Sequence, residues 1–163
     1  MKPVNVLFLC TANSARSIIA EALLNGLGGG RFRGYSAGSA PSGRVNPLAI
    51  EVLAKNGYSV QGVRSKDVGE FTRDGAPSVD FVITLCDTAA GESCPIFRGR
   101  PVQAHWGVKD PAAVEGSDAE KRRAFAEVLN VLRRRVQNFT GLPFESVDKL
   151  ALKDLVHEIG EIA

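Results

Sequence analysis

The run Val4-Asn5-Val6-Leu7-Phe8-Leu9 passes directly into Cys10-Thr11-Ala12-Asn13-Ser14-Ala15-Arg16-Ser17, after which Ile18, Ile19, Ala22 and Leu23 recur at helical spacing. The first run is β-rich and almost continuously apolar, as expected of a strand covered on both faces. Between strand and helix lies Cys-x5-Arg-Ser. A loop that winds into a helix start offers several backbone N–H groups to a tetrahedral oxyanion, beyond the carboxyl ends of the strands where α/β sheets bind ligands. Thr11, Ala12, Asn13, Ser14, Ala15, Arg16 and Ser17 are therefore the candidate anion-binding residues. Arg16 adds a planar, permanently charged fork suited to two oxygens of the anion. A positive helix end and an arginine are expected to lower the pKa of Cys10, leaving a thiolate beside the bound anion, ready for attack. Asn13 is expected to take the left-handed conformation a tight loop demands. Ser17 is placed to donate a hydrogen bond to the thiolate, and Ser14 to support the loop. The plainer alternative is a buried core thiol, and Cys-x5-Arg alone recurs often by chance. Its position directly after a buried strand, and before Ser and a helix, favours the site.

The same alternation continues outward. Glycines at 26 and 28–30 are expected to end the first helix, and Phe32 to Ala37 reads as a second strand. Asn46-Pro47 opens another helix, the asparagine capping and the proline in its first turn, with Gly57 closing it. Residues 79–85 form the clearest later strand, with Cys86 at its end, and a short strand near Val102 to Ala104 precedes His105-Trp106-Gly107. Ser117-Asp118-Ala119-Glu120 matches a capping box, followed by Phe125, Val128, Leu129, Leu132, Val136 and Phe139 at helical spacing. A last helix carries Leu152, Leu155, Val156 and Ile159 on one face. Strands alternating with helices predict a three-layer α/β/α architecture around a four-stranded parallel sheet. No repeat or linker divides residues 1–163, so one domain is expected.

A formal net charge of +2 gives no concentrated basic face for nucleic acid. The run Arg133-Arg134-Arg135 reads as a solvated helix face. No apolar stretch approaches the roughly 18 residues of a membrane span. Nothing resembles a signal peptide, so a cytoplasmic monomer is the default expectation. Three cysteines are too few, and odd in number, for a secreted disulfide framework. Cys86 stands at a strand end and Cys94 in the polar, glycine-bearing stretch 87–100, read as a mobile loop. A zinc pair, two unrelated thiols and a redox pair all remain open for them; zinc would want four ligands, and only His105 and His157 remain. Asp110, before Pro111, is either a turn starter or a general acid on the rim of the nucleophile, and spacing does not choose. His105 and Trp106 read as packed site architecture.

The Cys10–Ser17 loop, Ser36-Ala37-Gly38 and Asp110-Pro111 resemble the low-molecular-weight tyrosine phosphatase fold. Within it, residues 84–90 (Thr-Leu-Cys-Asp-Thr-Ala-Ala), Ser93-Cys94-Pro95 and His105-Trp106-Gly107 resemble the thioredoxin-type arsenate reductases. The resemblance covers nearly the whole chain, with two departures: Ala12 stands where glycine is usual, and Ala15 where a further cysteine is common. It implies arsenate as substrate, Cys10, Arg16, Cys86, Cys94 and Asp110 as the catalytic set, and thioredoxin or glutaredoxin as reductant. Cys10 would attack arsenic while Asp110 protonates the leaving oxygen. Cys86 would then attack Cys10, and Cys94 would take over the disulfide. No tightly bound cofactor is implied, but some members hold a potassium ion, which Asn13, Ser36, Ser65 and Asp67 could ligate here. Lys66 lies between the last two and could substitute its own charge.

Two rival readings draw on the same residues. A phosphotyrosine phosphatase would use Cys10 and Asp110 alone, but Pro111-Ala112-Ala113-Val114 lacks the aromatic pair expected of its pocket. A non-catalytic arsenic-sequestering module would leave Arg16 and Asp110 without a role.

Overall fold

The computed structural model describes residues 2–86, 97 and 99–163. Cys94 and most of the stretch expected to be a mobile loop lie outside them. Four strands, β1 (Val4–Cys10), β2 (Phe32–Gly38), β3 (Phe81–Thr84) and β4 (Val102–His105), form one parallel sheet in the order β2-β1-β3-β4. The described helices are α1 (Arg16–Leu27), α2 (Pro47–Lys55), α3 (Asp118–Thr140) and α4 (Lys149–Ile159). Short 3-10 turns at Val68–Phe71 and Pro111–Ala113 are too brief to leave a periodic signal in the sequence.

The central strand explains the hydrophobic run. Val6 and Phe8 face a core built with α1, α2, α3 and α4, whereas Leu7 faces a second cluster with Ala37, Phe71, Val79, Val82 and Phe97. All three β1 side chains are fully buried, so alternation of polarity is absent. The stripe read along α3 is the buried one, and its capping box forms as expected, with Ser117 and Glu120 exchanging bonds. Asn46 caps α2 by accepting a 2.9 Å bond from the Leu48 N–H.

Three local expectations need correction. Gly26 does not end α1, which runs to Leu27 with Gly28 as its cap; a Cβ at Gly26 would come within 2.7 Å of the Tyr58 ring, so the glycine serves packing. β3 is shorter than residues 79–85, although Val79 and Leu85 are fully buried beside it. Arg135 is not part of a solvated face: it is 5% exposed, while Arg134 is exposed. Its guanidinium donates to the carbonyls of Trp106 (2.9 Å) and Gly107 (3.2 Å) and, through Nε, to that of Ile162 (2.9 Å). No described helix is long and apolar enough to cross a membrane.

The strand order reverses between β1 and β3, and ligands in such sheets bind beyond the carboxyl ends at that point. Cys10 ends β1 and Cys86 lies two residues past β3, so the two flank the reversal.

Candidate active site

The loop after β1 is held from outside. The carbonyls of Thr11, Ala12 and Ser14 accept hydrogen bonds from the amides of Ala40 (3.0 Å), Ser42 (3.0 Å) and Asn46 (2.8 Å). Because a trans peptide points its C=O and the next N–H in opposite directions, the amides of Ala12, Asn13 and Ala15 face away from that segment. At the start of α1, Ala15 makes no side-chain cap. The first-turn N–H groups therefore keep the partial positive charge of an uncapped helix end. Together these features make a cradle for an oxyanion. Neither Ala12 nor Ala15, where the resemblance departs, takes a positive φ, so a Cβ is accommodated at both; Ala15 is 5% exposed.

Asn13 carries the tightest turn, with φ +47° as expected. It is fully buried, donates from Nδ2 to Ser17 Oγ (2.8 Å) and accepts at Oδ1 from the Lys66 amide (2.8 Å). Ser17 Oγ thus acts as an acceptor for Asn13 Nδ2. At the end of β2, Gly38 pairs with Cys10 and donates to the Lys66 carbonyl (2.9 Å). A Cβ on Gly38 would lie 2.3 Å from the Thr11 carbonyl oxygen, so the loop passes where a side chain would be.

Cys10 and Cys86 are both buried, and neither is in a disulfide. The two thiols lie close enough to interact electrostatically, and Thr11 Oγ1 lies 3.5 Å from the Cys86 sulfur. The expectation of a lowered Cys10 pKa is reversed. Burial pushes the thiol up to about 11, outweighing the pull of Arg16 and the Thr11 amide, and Cys86 adds to the rise. A count of nearby positive groups misses this, because desolvation of the thiolate is set by tertiary packing.

Arg16 reaches across to the loop after β4. Its Nη1 donates to the Val108 carbonyl (3.1 Å), and its Nη2 lies 3.7 Å from Asp110 Oδ2. Asp110 also accepts at Oδ1 from the Ala112 amide (2.9 Å), capping the 3-10 turn. Its two possible roles are thus compatible, one oxygen holding the turn and the other facing the arginine. Below it, Trp106 is fully buried with Nε1 donating to the Val156 carbonyl (2.7 Å), and His105 Nδ1 bonds Thr84 Oγ1 (2.7 Å). Arg135 ties down the carbonyls of Trp106 and Gly107, so the segment leading to Asp110 rests on a hydrogen-bonded floor. The residues after Asp110 remain Pro-Ala-Ala-Val, with no aromatic pair.

The residues proposed for potassium do not present a cage. Asn13 Oδ1 holds the Lys66 amide, Ser65 Oγ bridges the Gly43 amide (3.1 Å) and the Ala12 carbonyl (3.2 Å), and Asp67 Oδ1 holds the Gly69 amide (2.7 Å). Ser36 Oγ donates to Glu21 Oε1 (2.9 Å) and lies 3.4 Å from Lys66 Nζ. A metal ion at Ser36 would meet the ammonium of Lys66. Burial pushes the Glu21 carboxyl up and the Lys66 ammonium down, each drawn back by the other's charge. Glu21 in this role had no signal in the sequence, since it reads as an ordinary polar position on α1. Among the described residues no cluster of three His, Cys, Asp or Glu side chains could hold a metal.

Comparison with known proteins agrees with this geometry. The profile of the family described as "Low molecular weight phosphotyrosine protein phosphatase" matches residues 5–152. An arsenate reductase of Halalkalibacterium halodurans is 35% identical over 82% of this chain and 93% of its own. A solved arsenate reductase in its oxidized state superposes with a TM-score of 0.67 at 28% identity, covering 83% of this chain and 95% of the other. The thioredoxin-dependent arsenate reductase of Corynebacterium glutamicum superposes with a TM-score of 0.56 at 27% identity, over 83% of this chain and 63% of that one.

Proposed function

The chain belongs to the low molecular weight phosphotyrosine protein phosphatase family, and within it to the arsenate reductases, and from that premise we propose that it reduces arsenate to arsenite through a relay of Cys10, Cys86 and Cys94. Arsenate binds the amides of the 11–16 loop and the Arg16 guanidinium. The Cys10 sulfur attacks arsenic, and an arsenate oxygen leaves as water after taking a proton from Asp110. The thiol proton passes to another oxygen of the anion, which is the nearest base to a thiol kept protonated by burial. Cys86 then attacks the Cys10 sulfur. The S–As electron pair stays on arsenic, reducing it from +5 to +3, and arsenite departs from a Cys10–Cys86 disulfide. Cys94 attacks Cys86 and releases Cys10, leaving a Cys86–Cys94 disulfide for an external dithiol to reduce. Thioredoxin is the proposed dithiol, a choice supported by the dependence stated for the Corynebacterium glutamicum protein.

One observation carries this reading: a second buried thiol, Cys86, stands against the anion loop, its sulfur 3.5 Å from Thr11 Oγ1 and close enough to Cys10 to raise that thiol's pKa. Phosphate-ester cleavage needs one nucleophile, an arginine and an acid, and has no use for Cys86 there. A two-electron reduction needs it.

Arsenate-dependent NADPH oxidation with thioredoxin and thioredoxin reductase tests the relay. Cys10→Ser, Cys86→Ser and Cys94→Ser should each abolish turnover, and Cys94→Ser should still release one arsenite per protein in a single turnover. Glutaredoxin, tested in parallel, should not replace thioredoxin. Wild type inactive here but hydrolysing an aryl phosphate through Cys10 alone would make the protein a phosphatase.

A further inference from the structure

We propose that the ammonium of Lys66 is a resident cation, standing where a monovalent metal ion would otherwise balance Glu21, and that it positions the anion loop without added potassium. The Lys66 side chain is 8% exposed and that of Glu21 10%. The ammonium donates to the Arg64 carbonyl (2.8 Å), lies 3.4 Å from Ser36 Oγ, and stands 3.6 Å from Glu21 Oε1. A carboxylate, a hydroxyl and a carbonyl are the oxygen donors a hard cation would take, and here one side chain satisfies them.

The same residue reaches the loop through its backbone. Its N–H holds Asn13 Oδ1, and its C=O holds the Gly38 amide against which the loop packs. Ser65, immediately before it, holds the Ala12 carbonyl. Glu21 sits on α1, whose first turn ends the loop. The ion pair therefore fastens residues 65–67 to α1, and the backbone of that stretch fastens Asn13. Removing the ammonium leaves a buried carboxylate uncompensated, which is the costly way to break such a pair. A cleft of about 460 Å³ lined by Glu21, Lys66, Arg64, Gln61, Glu70 and Tyr35 leads to it, so a small cation can take the vacated place.

Lys66 is a positioning residue on this account, and only its activity readout rests on the reductase reading above. The test compares wild type and Lys66→Ala in KCl, methylammonium chloride and choline chloride at equal ionic strength, by thermal melting and by arsenate turnover. Wild type should melt and turn over identically in all three salts. The variant should melt roughly 10 °C lower in choline chloride, and KCl or methylammonium should restore at least half of that loss and raise kcat. A wild-type melting point that rises with KCl overturns the proposal, as does a destabilised variant indifferent to both small cations. Should Lys66→Ala not fold, Lys66→Met with Glu21→Gln removes both charges; it should melt near wild type and ignore potassium, and a potassium response there would equally overturn it. Melting needs no arsenate, so absent turnover with the expected melting pattern would sink the reductase reading alone.

Discussion

Replacing Asn13 by alanine should destabilise the protein more than any other single truncation in the loop. Two buried hydrogen bonds are lost, Nδ2 to Ser17 Oγ and Oδ1 from the Lys66 amide, each 2.8 Å long. At about 1 kcal/mol apiece they contribute roughly 2 kcal/mol. Alanine at φ +47° adds the left-handed penalty of a Cβ, about 1–2 kcal/mol. The sum, about 3–4 kcal/mol, is a large share of a typical total of roughly 5–15 kcal/mol and corresponds to a melting point lowered by about 10 °C in a chain of this size. Urea unfolding of wild type, Asn13→Ala and Asn13→Gly measures it. Glycine loses the same two bonds but not the strain, so it should fall between the other two. An alanine variant within 1 kcal/mol of wild type, or a glycine variant below the alanine one, would refute the assignment of the cost to hydrogen bonding and backbone strain.

The two roles of Asp110 separate in Asp110→Asn, which can still accept from the Ala112 amide but cannot donate a carboxylic proton: kcat for arsenate should drop by about 10²–10⁴-fold with the melting point unchanged, and unchanged turnover would leave only the turn role. Cys10 should be alkylated by iodoacetamide about tenfold faster per pH unit from pH 7 to 10 in the substrate-free protein, since its thiol is held up to about 11; a rate already level at pH 7 would mean the loop amides and Arg16 outweigh burial. The same shift fixes a sign for stability. The folded thiol binds its proton more tightly than the ordinary 9.0, so Cys10 favours folding below about pH 9, and that contribution disappears as pH rises through about 11. Urea midpoints from pH 8 to 11.5 check it by comparison with Cys10→Ser.

The features legible in the sequence are those whose physics is local. The strand–Cys-x5-Arg–helix order, the left-handed Asn13, the Asn46 cap and the Ser117 capping box all depend on residues within a few positions of each other, and the structure contains each of them. What escaped depends on burial or on distant partners. Arg135 sits in a triplet of arginines that looks solvated, yet it reaches carbonyls 28 and 29 residues away. Glu21, Ser36 and Lys66 meet only because α1, β2 and the stretch before the Val68–Phe71 turn converge. The Cys10 shift has its sign set by desolvation, which no inventory of neighbouring charges contains. Cys94 lies outside the described residues, so its proposed place in the relay rests on the family resemblance and on thiol chemistry.

The three outward-turned carbonyls of the loop have a consequence for selectivity. Their bonds to the 40–46 segment are made by the chain's own amides, so the fold itself shapes the mould. Such a mould recognises double negative charge and tetrahedral shape, and phosphate and sulfate offer the same two qualities as arsenate. Discrimination by fit is therefore weak, and it falls to the step that follows. Under the proposed relay, phosphorus or sulfur held at Cys10 does not take up the electron pair of its bond to that sulfur when Cys86 attacks, and it falls away unchanged. Arsenic does take it up, so an enzyme working by that relay sorts its oxyanions by reducibility rather than by size, and the abundant ones act as occupants that delay arsenate without being consumed.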